Sequence, residues 1–299
     1  MSDIYKDYMN PSIINKIDNL FLRARLVVEG FIIGMHKSPY HGFSVEFSEH
    51  RPYGYGDQIK YIDWKLWAKT DRFYIKQFEE ETNLKCHLIL DKSSSMGYGS
   101  IDITKFDYSK NLAAALIYLM IKQQDAVGLT TFDDKINISI PPKSKITHLN
   151  SLLTTMHNCK TGGETKISTL LHSLAESINK RGLIILISDL LDDEEKIMKG
   201  LRHFRHKGHE VIIFHIIDPK EKNLDFDENV NFIDMENEDR LTVDTRQIRK
   251  DYTKSFEKFC SYYKNKCLRN KIDYVKLNTT DSLDISLMQY LIKRIQVSK

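Results

Sequence analysis

Four short apolar runs, each reaching an aspartate, constrain this chain more than any other feature: LKCHLILD (84–91), AVGLTTFDD (126–134), LIILISD (183–189) and EVIIFHIID (210–218). Between them lie segments of helical period. KFDYSKNLAAALIYLMIKQQ (105–124) places Leu112, Ala113, Leu116, Ile117 and Met120 on one face, and further helices are predicted over 146–158, 166–180 and 193–207. Continuous apolar strands alternating with amphipathic helices read as α/β, a doubly wound, mostly parallel sheet with helices on both faces. Crossovers of one hand bring the strand C-termini to a single edge. Asp91, Asp133, Asp189 and Asp218 therefore collect there, on the edge where open α/β sheets bind ligands.

The flanks read differently. INISI (136–140), just before Pro141 and Pro142, is expected as a short edge strand. Residues 245–271 read as a long charged helix, IDYVKL (272–277) as a last strand and 283–296 as a final helix. At the other end, 1–35 is largely helical in pattern, with Leu20, Leu22, Leu26, Val27 and Ile32 as packing residues. Residues 40–80 carry aromatics, glycine and polar groups without helical period, and are expected as a small β-rich layer. The expected division is a helical and β-rich N-terminal subdomain over 1–83 and an α/β domain over 84–299.

Composition excludes several classes. With 41% hydrophobic and 28% charged residues, this is not a mostly disordered chain. Lysine and arginine number 44 against 41 acids, a formal charge of +3 with no strongly polarised segment, so no basic footprint points to nucleic acid. The longest apolar stretches, such as LVVEGFIIGM from residue 26, fall far short of the ~20 residues of a membrane span, and the polar start MSDIYKDYMN is unlike a signal peptide. Cys86, Cys159, Cys260 and Cys267 form no C-x-x-C pair. The expectation is a cytoplasmic protein without structural disulfides and without a membrane span.

The turn after the first run reads Asp91-Lys92-Ser93-Ser94-Ser95, a D-x-S-x-S pattern. A carboxylate and two hydroxyls at alternate positions can aim their oxygens at one point. Hard oxygen donors of this kind suit Mg²⁺ or Mn²⁺. Thr165, after Gly162-Gly163-Glu164, and Asp189, at the end of LIILIS, offer two further oxygens, and the topology delivers them to the same edge. A turn or a helix cap accounts for D-x-S-x-S alone, because Asp and Ser favour both. The matching Thr165 and Asp189 favour the metal reading. Asp133, Asp134 and Asp218 read instead as loop or cap acids.

The D-x-S-x-S, the Thr in a glycine-rich loop and the Ser-Asp after a second buried strand resemble the metal-ion-dependent adhesion site of von Willebrand factor type A domains. Upstream, GFSVEF, Arg51-Pro52-Tyr53, Gly56-Asp57, Ile62-Asp63-Trp64 and FEEET resemble the family catalogued as domain of unknown function 58, which is von Willebrand factor A-like and commonly encoded beside MoxR-type AAA+ ATPases. The resemblance runs from about residue 25 to 220. It implies that Ser93, Ser95 and Thr165 are direct or near-direct metal ligands. Asp91 and Asp189 would bind directly or through water, and the last coordination position is left for an acidic residue of a partner protein. Glu164 lies outside the pattern, and either adds negative charge or holds a water. Arg51, Tyr53, Asp57 and Trp64 are candidates for partner binding beside a plainer role in packing the N-terminal layer.

Two classes of function compete. The first is a non-enzymatic, Mg²⁺- or Mn²⁺-dependent interaction module working with a MoxR-type AAA+ ATPase or its client in assembling or remodelling complexes. The alternative is a metal-dependent phosphoryl-transfer hydrolase using Asp91, since a buried strand ending in Asp also begins haloacid-dehalogenase-like phosphatases. That chemistry wants a second carboxylate two residues on, where this chain has Ser93. No G-x-x-x-x-G-K-S/T loop and no G-x-S-x-G elbow occurs. His203, His206 and His209 sit three apart. With His209 beyond Gly208 and no cysteine near, they read as solvated surface histidines before a zinc site.

Overall fold

In the computed structural model, residues 11–36, 50–52, 54, 64–76, 84–163, 167–226, 229–233, 240–284, 286–288, 290 and 292 are described. The chain divides into two units, Met35–Asn83 and the remainder, so that the first 34 residues group with the sheet-bearing part. Helices α1 (Pro11–Asn15) and α2 (Leu20–His36) begin that larger unit. In the smaller one, β1 (His50–Pro52) pairs antiparallel with β2 (Tyr74–Lys76), and α3 (Trp64–Thr70) lies between them in sequence. A helix there departs from the β-rich expectation: WKLWAKT is too short to display a period, and Trp67 stacks on Phe73 at 5.8 Å.

The larger unit continues with β3 (Lys85–Asp91), α4 (Lys105–Lys122), β4 (Ala126–Phe132), β5 (Ile136–Lys143), α5 (Ile146–Asn158), α6 (Ile167–Ser177), β6 (Leu183–Ser188), α7 (Glu194–His206) and β7 (Glu210–Ile217). It closes with α8 (Pro219–Asn223), β8 (Asn229–Ile233), β9 (Arg240–Asp244), α9 (Thr245–Arg269) and β10 (Asp273–Asn278), then helical residues at 284, 286–288, 290 and 292. Six strands make one sheet in the order β10-β7-β6-β3-β4-β5, parallel except for β5. The strand order reverses at β3. The chain steps outward from it to β4 and β5, then returns to its other side with β6, β7 and β10. The switch lies at the C-terminal ends of β3 and β6, the position at which open α/β sheets bind ligands.

Strand parity sorts the core. Ile89, Ile184, Leu186, Val211 and Ile213 pack with Ile167, Leu171, Leu174, Ile197, Leu201, Phe204 and Tyr263 of α6, α7 and α9. The alternate residues Leu88, Leu90, Ile185 and Ile187 point to the other face, as the pleat requires, where α4 runs along β3, β4, β6 and β7. Helix α4 is buried nearly all round and not on one stripe alone. Its outer side is covered by α5 and by the N-terminal helices, with Phe21 edge-on to Tyr118 and Arg23 Nη1 donating to Asn111 Oδ1 at 3.1 Å.

Strand β5 runs through Pro141 and Pro142 instead of stopping before them. It is the antiparallel edge, and a register shift between Val127 and Leu129 accommodates the prolines. Gly128 lies at that shift, where a Cβ would come within 2.7 Å of the Ile140 carbonyl oxygen. The β8–β9 pair is a further antiparallel hairpin that no pattern in the sequence signalled. Among the described residues no helix is long and apolar enough to cross a membrane, and the four cysteines are free.

Candidate functional site

The end of β3 is tied to the end of β6 through one carboxylate. Asp91, wholly buried, accepts the Ser93 backbone N–H on Oδ1 at 2.9 Å and the Ser188 hydroxyl on Oδ2 at 2.6 Å. The first bond folds the D-x-S-x-S turn back on its own aspartate. The second crosses between adjacent strands. Ser188 Oγ in turn accepts the Leu190 N–H at 2.9 Å. Leu190 is buried yet holds φ at 59°, a left-handed conformation that a bulky residue rarely takes, directly after Asp189.

The hydroxyls complete a chain of contacts. Ser93 Oγ and Ser95 Oγ are 3.1 Å apart, and the Ser95 side chain hydrogen-bonds to Asp189. Asp91, Ser93, Ser95 and Asp189 are thus brought together at the switch point. Thr165 and Glu164 lie outside the described residues. The loop leading to them is nevertheless stitched to the turn from both sides: Ser94 N–H donates to the Gly163 carbonyl at 3.0 Å, and Gly162 N–H to the Lys92 carbonyl at 3.0 Å. Gly163 has φ of +82°, and a Cβ on it would stand 3.0 Å from Asp133.

Lys105 is a component that sequence reasoning missed. Its side chain is fully buried, with Nζ 2.9 Å from Asp189 Oδ2 and 2.7 Å from Glu221 Oε1. The available signal was a lysine in the first turn of an apolar helix, where the helix dipole disfavours a cation. Burial by itself would lower its pKa, but Asp189 and Glu221 more than offset this and the ammonium is held protonated. Burial likewise pushes Asp189 up, and the Lys105 charge and the Ser95 hydrogen bond bring it below the usual carboxylate range. Asp91 has no such cation. Burial, then the Asp189 charge, push its carboxyl up to about 7, despite its bonds to Ser188 and Ser93.

The other acids of the edge have structural partners. Asp133 pairs with Lys92 and accepts from Asn137 and from the Lys135 N–H. Asp218 is the N-cap of α8 in a capping box with Glu221, and accepts the Ser100 N–H at 2.8 Å. Of the upstream candidates, Tyr53 and Asp57 lie outside the described residues. Arg51 pairs through its backbone with Ile75, Trp64 opens α3, and their side chains are likewise outside the description. His209 is not solvated: it is buried at 1% exposure, edge-on to Phe204 at 5.9 Å, while His203 faces His172 of α6.

Asp189 and Glu221 thus share one ammonium, while the buried Asp91 stands beside Asp189 without a cation of its own, and the surplus is negative. Two hydroxyl oxygens 3.1 Å apart match adjacent corners of a Mg²⁺ octahedron, which are about 2.9 Å apart at ordinary Mg–O distances. The donor set therefore fits a small hard cation. Its character lies in hydroxyls: among the described residues no group of three or more His, Cys, Asp or Glu side chains is arranged to hold a metal.

Comparison with known proteins agrees with the upstream signature. The chain belongs to the family described as protein of unknown function DUF58, whose model matches residues 49–259. Uncharacterized proteins of Mycobacterium tuberculosis and Mycobacterium bovis are 24% identical over 221 residues, covering 73% of this chain and 69% of theirs. Among solved structures, the chain is similar to a conserved hypothetical protein, BatB, from Bacteroides thetaiotaomicron (TM-score 0.47, 15% identity, 71% of this chain and 99% of that one). It is also similar to the VWA domain of SpRpn10 (TM-score 0.43, 15% identity, 69% and 94%).

Proposed function

We propose that this DUF58-family chain is a non-enzymatic protein-interaction module whose contact point is a divalent cation at the switch of the sheet. Ser93 and Ser95, with Thr165, would hold Mg²⁺ or Mn²⁺. Asp91 and Asp189 would hold the hydroxyls and any bound waters in place. The observation that carries the reading is the continuous network from Ser188 through Asp91, Ser93 and Ser95 to Asp189, buried at every member except the half-buried Ser95. When bound, the cation supplies an electrophilic position for an external carboxylate. The chain itself orients the hydroxyls, excludes water behind them and keeps Lys105 as a fixed counter-charge.

The partner we propose, on the resemblance of the upstream signature, is a MoxR-type AAA+ ATPase or its client, met in the cytoplasm. Neutral hydroxyl ligands leave the cation enough charge to seek an acidic side chain. Hydrolase chemistry at Asp91 is disfavoured, since both of its oxygens are engaged and the side chain is wholly buried. The test is capture of a purified MoxR-type ATPase on the immobilised chain, with Mg²⁺ or with EDTA. Retention only with Mg²⁺, and loss in Ser93→Ala/Ser95→Ala, is the expected result. Equal retention in EDTA and by the double variant contradicts the proposal.

A further inference from the structure

Helices α6 and α7 lie side by side in register, and three contacts fix that register. At their N-terminal ends the Ser168 N–H donates to Asp192 Oδ2 at 3.1 Å. Midway, Gly200 meets Leu171 so closely that a Cβ on the glycine would stand 2.6 Å from the Leu171 Cβ. At their C-terminal ends Lys207 Nζ donates to the Ala175 and Glu176 carbonyls at 2.6 and 3.1 Å, which are otherwise unpaired acceptors of the last turn. Between the glycine contact and the lysine clamp, His172 and His203 face one another with Nδ1 to Nδ1 at 3.4 Å and ring centroids 5.6 Å apart. Both rings are half-buried, reachable from solvent and held by a rigid helix pair.

The distance is informative. A good hydrogen bond from a ring N–H spans about 2.7–3.2 Å, so 3.4 Å is long for one imidazole donating to another. Two nitrogens at tetrahedral corners around Zn²⁺, each about 2.0–2.1 Å from the metal, are about 3.3–3.4 Å apart. We propose that His172 Nδ1 and His203 Nδ1 form a two-histidine site for a borderline transition ion, represented by Zn²⁺, on the surface of α6 and α7. Among the described residues no third His, Cys, Asp or Glu joins the pair, so the two remaining positions belong to water. The site uses nitrogen donors and is separate from the oxygen site of the sheet edge. It rests on none of the residues invoked there.

The experiment is calorimetric titration of the full chain with ZnCl₂ in saturating MgCl₂. The expected result is one zinc per chain, with affinity falling by more than about a hundredfold in His172→Gln and in His203→Gln, beyond the roughly 10–100-fold that removal of an outer hydrogen-bond partner brings. His206→Gln and Ser93→Ala/Ser95→Ala bind zinc as the wild type does, and acidification releases the metal as the imidazoles protonate. Each variant is first checked for unchanged melting without zinc, and either histidine, on its separate helix, suffices for the test. No zinc uptake by the wild type at millimolar zinc, or undiminished uptake by both glutamine variants, overturns the proposal.

Discussion

The Lys105 ammonium lies 2.9 Å from the Asp189 carboxylate with both side chains buried, so the candidate site contains a permanent cation of its own. Glu221 shares that ammonium from α8, linking the C-terminal end of β7 to the same cluster. Taking one member away leaves an uncompensated charge where water has little access. Lys105→Met is therefore expected to destabilise the fold by roughly 3–5 kcal/mol. Urea unfolding of Lys105→Met, Asp189→Asn and the double variant measures this. Because the partners share one interaction, the double variant should cost clearly less than the two single ones summed.

Ser188 and the turn serines make different contributions. Ser188 holds the buried Asp91 Oδ2 and also accepts the Leu190 N–H. Ser188→Ala should cost about 1–3 kcal/mol in any buffer, the scale of leaving buried polar groups unsatisfied. Ser93→Ala/Ser95→Ala should cost less in EDTA yet forfeit the stabilisation by metal. Thermal unfolding of both variants, with Mg²⁺ and with EDTA, separates the two effects.

Glycine at 163 is a conformational requirement, and at 162 it is not. Gly163 has φ of +82° and its Cβ position is crowded by Asp133, whereas nothing stands within 4 Å of a Cβ on Gly162. Gly163→Ala is expected to lose about 1–2 kcal/mol and to weaken metal binding, because the loop toward Thr165 leans on the turn through Gly163. Gly162→Ala should leave both properties close to wild type. Calorimetric metal titration and unfolding of the pair decide it.

Acid stability should depend on two histidines. Burial holds His215 at a pKa of about 4, although Asp189 opposes this, and burial with the neighbouring His209 and Lys85 charges holds His87 at about 4. Both folded values lie below the unfolded one near 6.5, so the unfolded chain binds more protons. Stability is complete above about pH 7 and is lost as pH falls from 6.5 toward 4, on the order of 1–2 kcal/mol per histidine by pH 5. Asp91, raised to about 7, acts with the opposite sign: its contribution is present below about pH 4 and lost as pH rises through 7. The difference between wild type and His215→Gln therefore isolates the histidine. The variant should show a shallower acid limb in stability measured against pH.

Strands that are buried on both faces announce themselves, which is why LIILIS and EVIIFHII were legible as core, with Asp189 and Asp218 at their ends. The turn after the first strand was legible from the Asp-x-Ser pattern, and Asp91 Oδ1 does accept the Ser93 N–H, whereas the tie from Asp91 Oδ2 to Ser188, 97 residues further on, had no local signal. Lys105 was not legible, because its partners come from positions 84 and 116 residues further on and no local pattern encodes them. The continuation of β5 through two prolines was hidden because only an edge with a register shift tolerates them. Spacing by three suggested a grouping of His203 with His206 and His209. Helix pairing instead sets His203 against His172, and the turn at Gly208 sends His209 inward.

The most direct test of the central claim is a calorimetric titration of the full chain with MnCl₂, for the wild type and for Ser93→Ala/Ser95→Ala and Asp91→Asn. The oxygen-site reading predicts one bound ion in the wild type and thermal stabilisation growing with free metal, about 2.7 kcal/mol at a hundred times the dissociation constant, with both effects absent from the two variants. Binding of equal strength and stoichiometry in all three proteins, or none in the wild type, would contradict it.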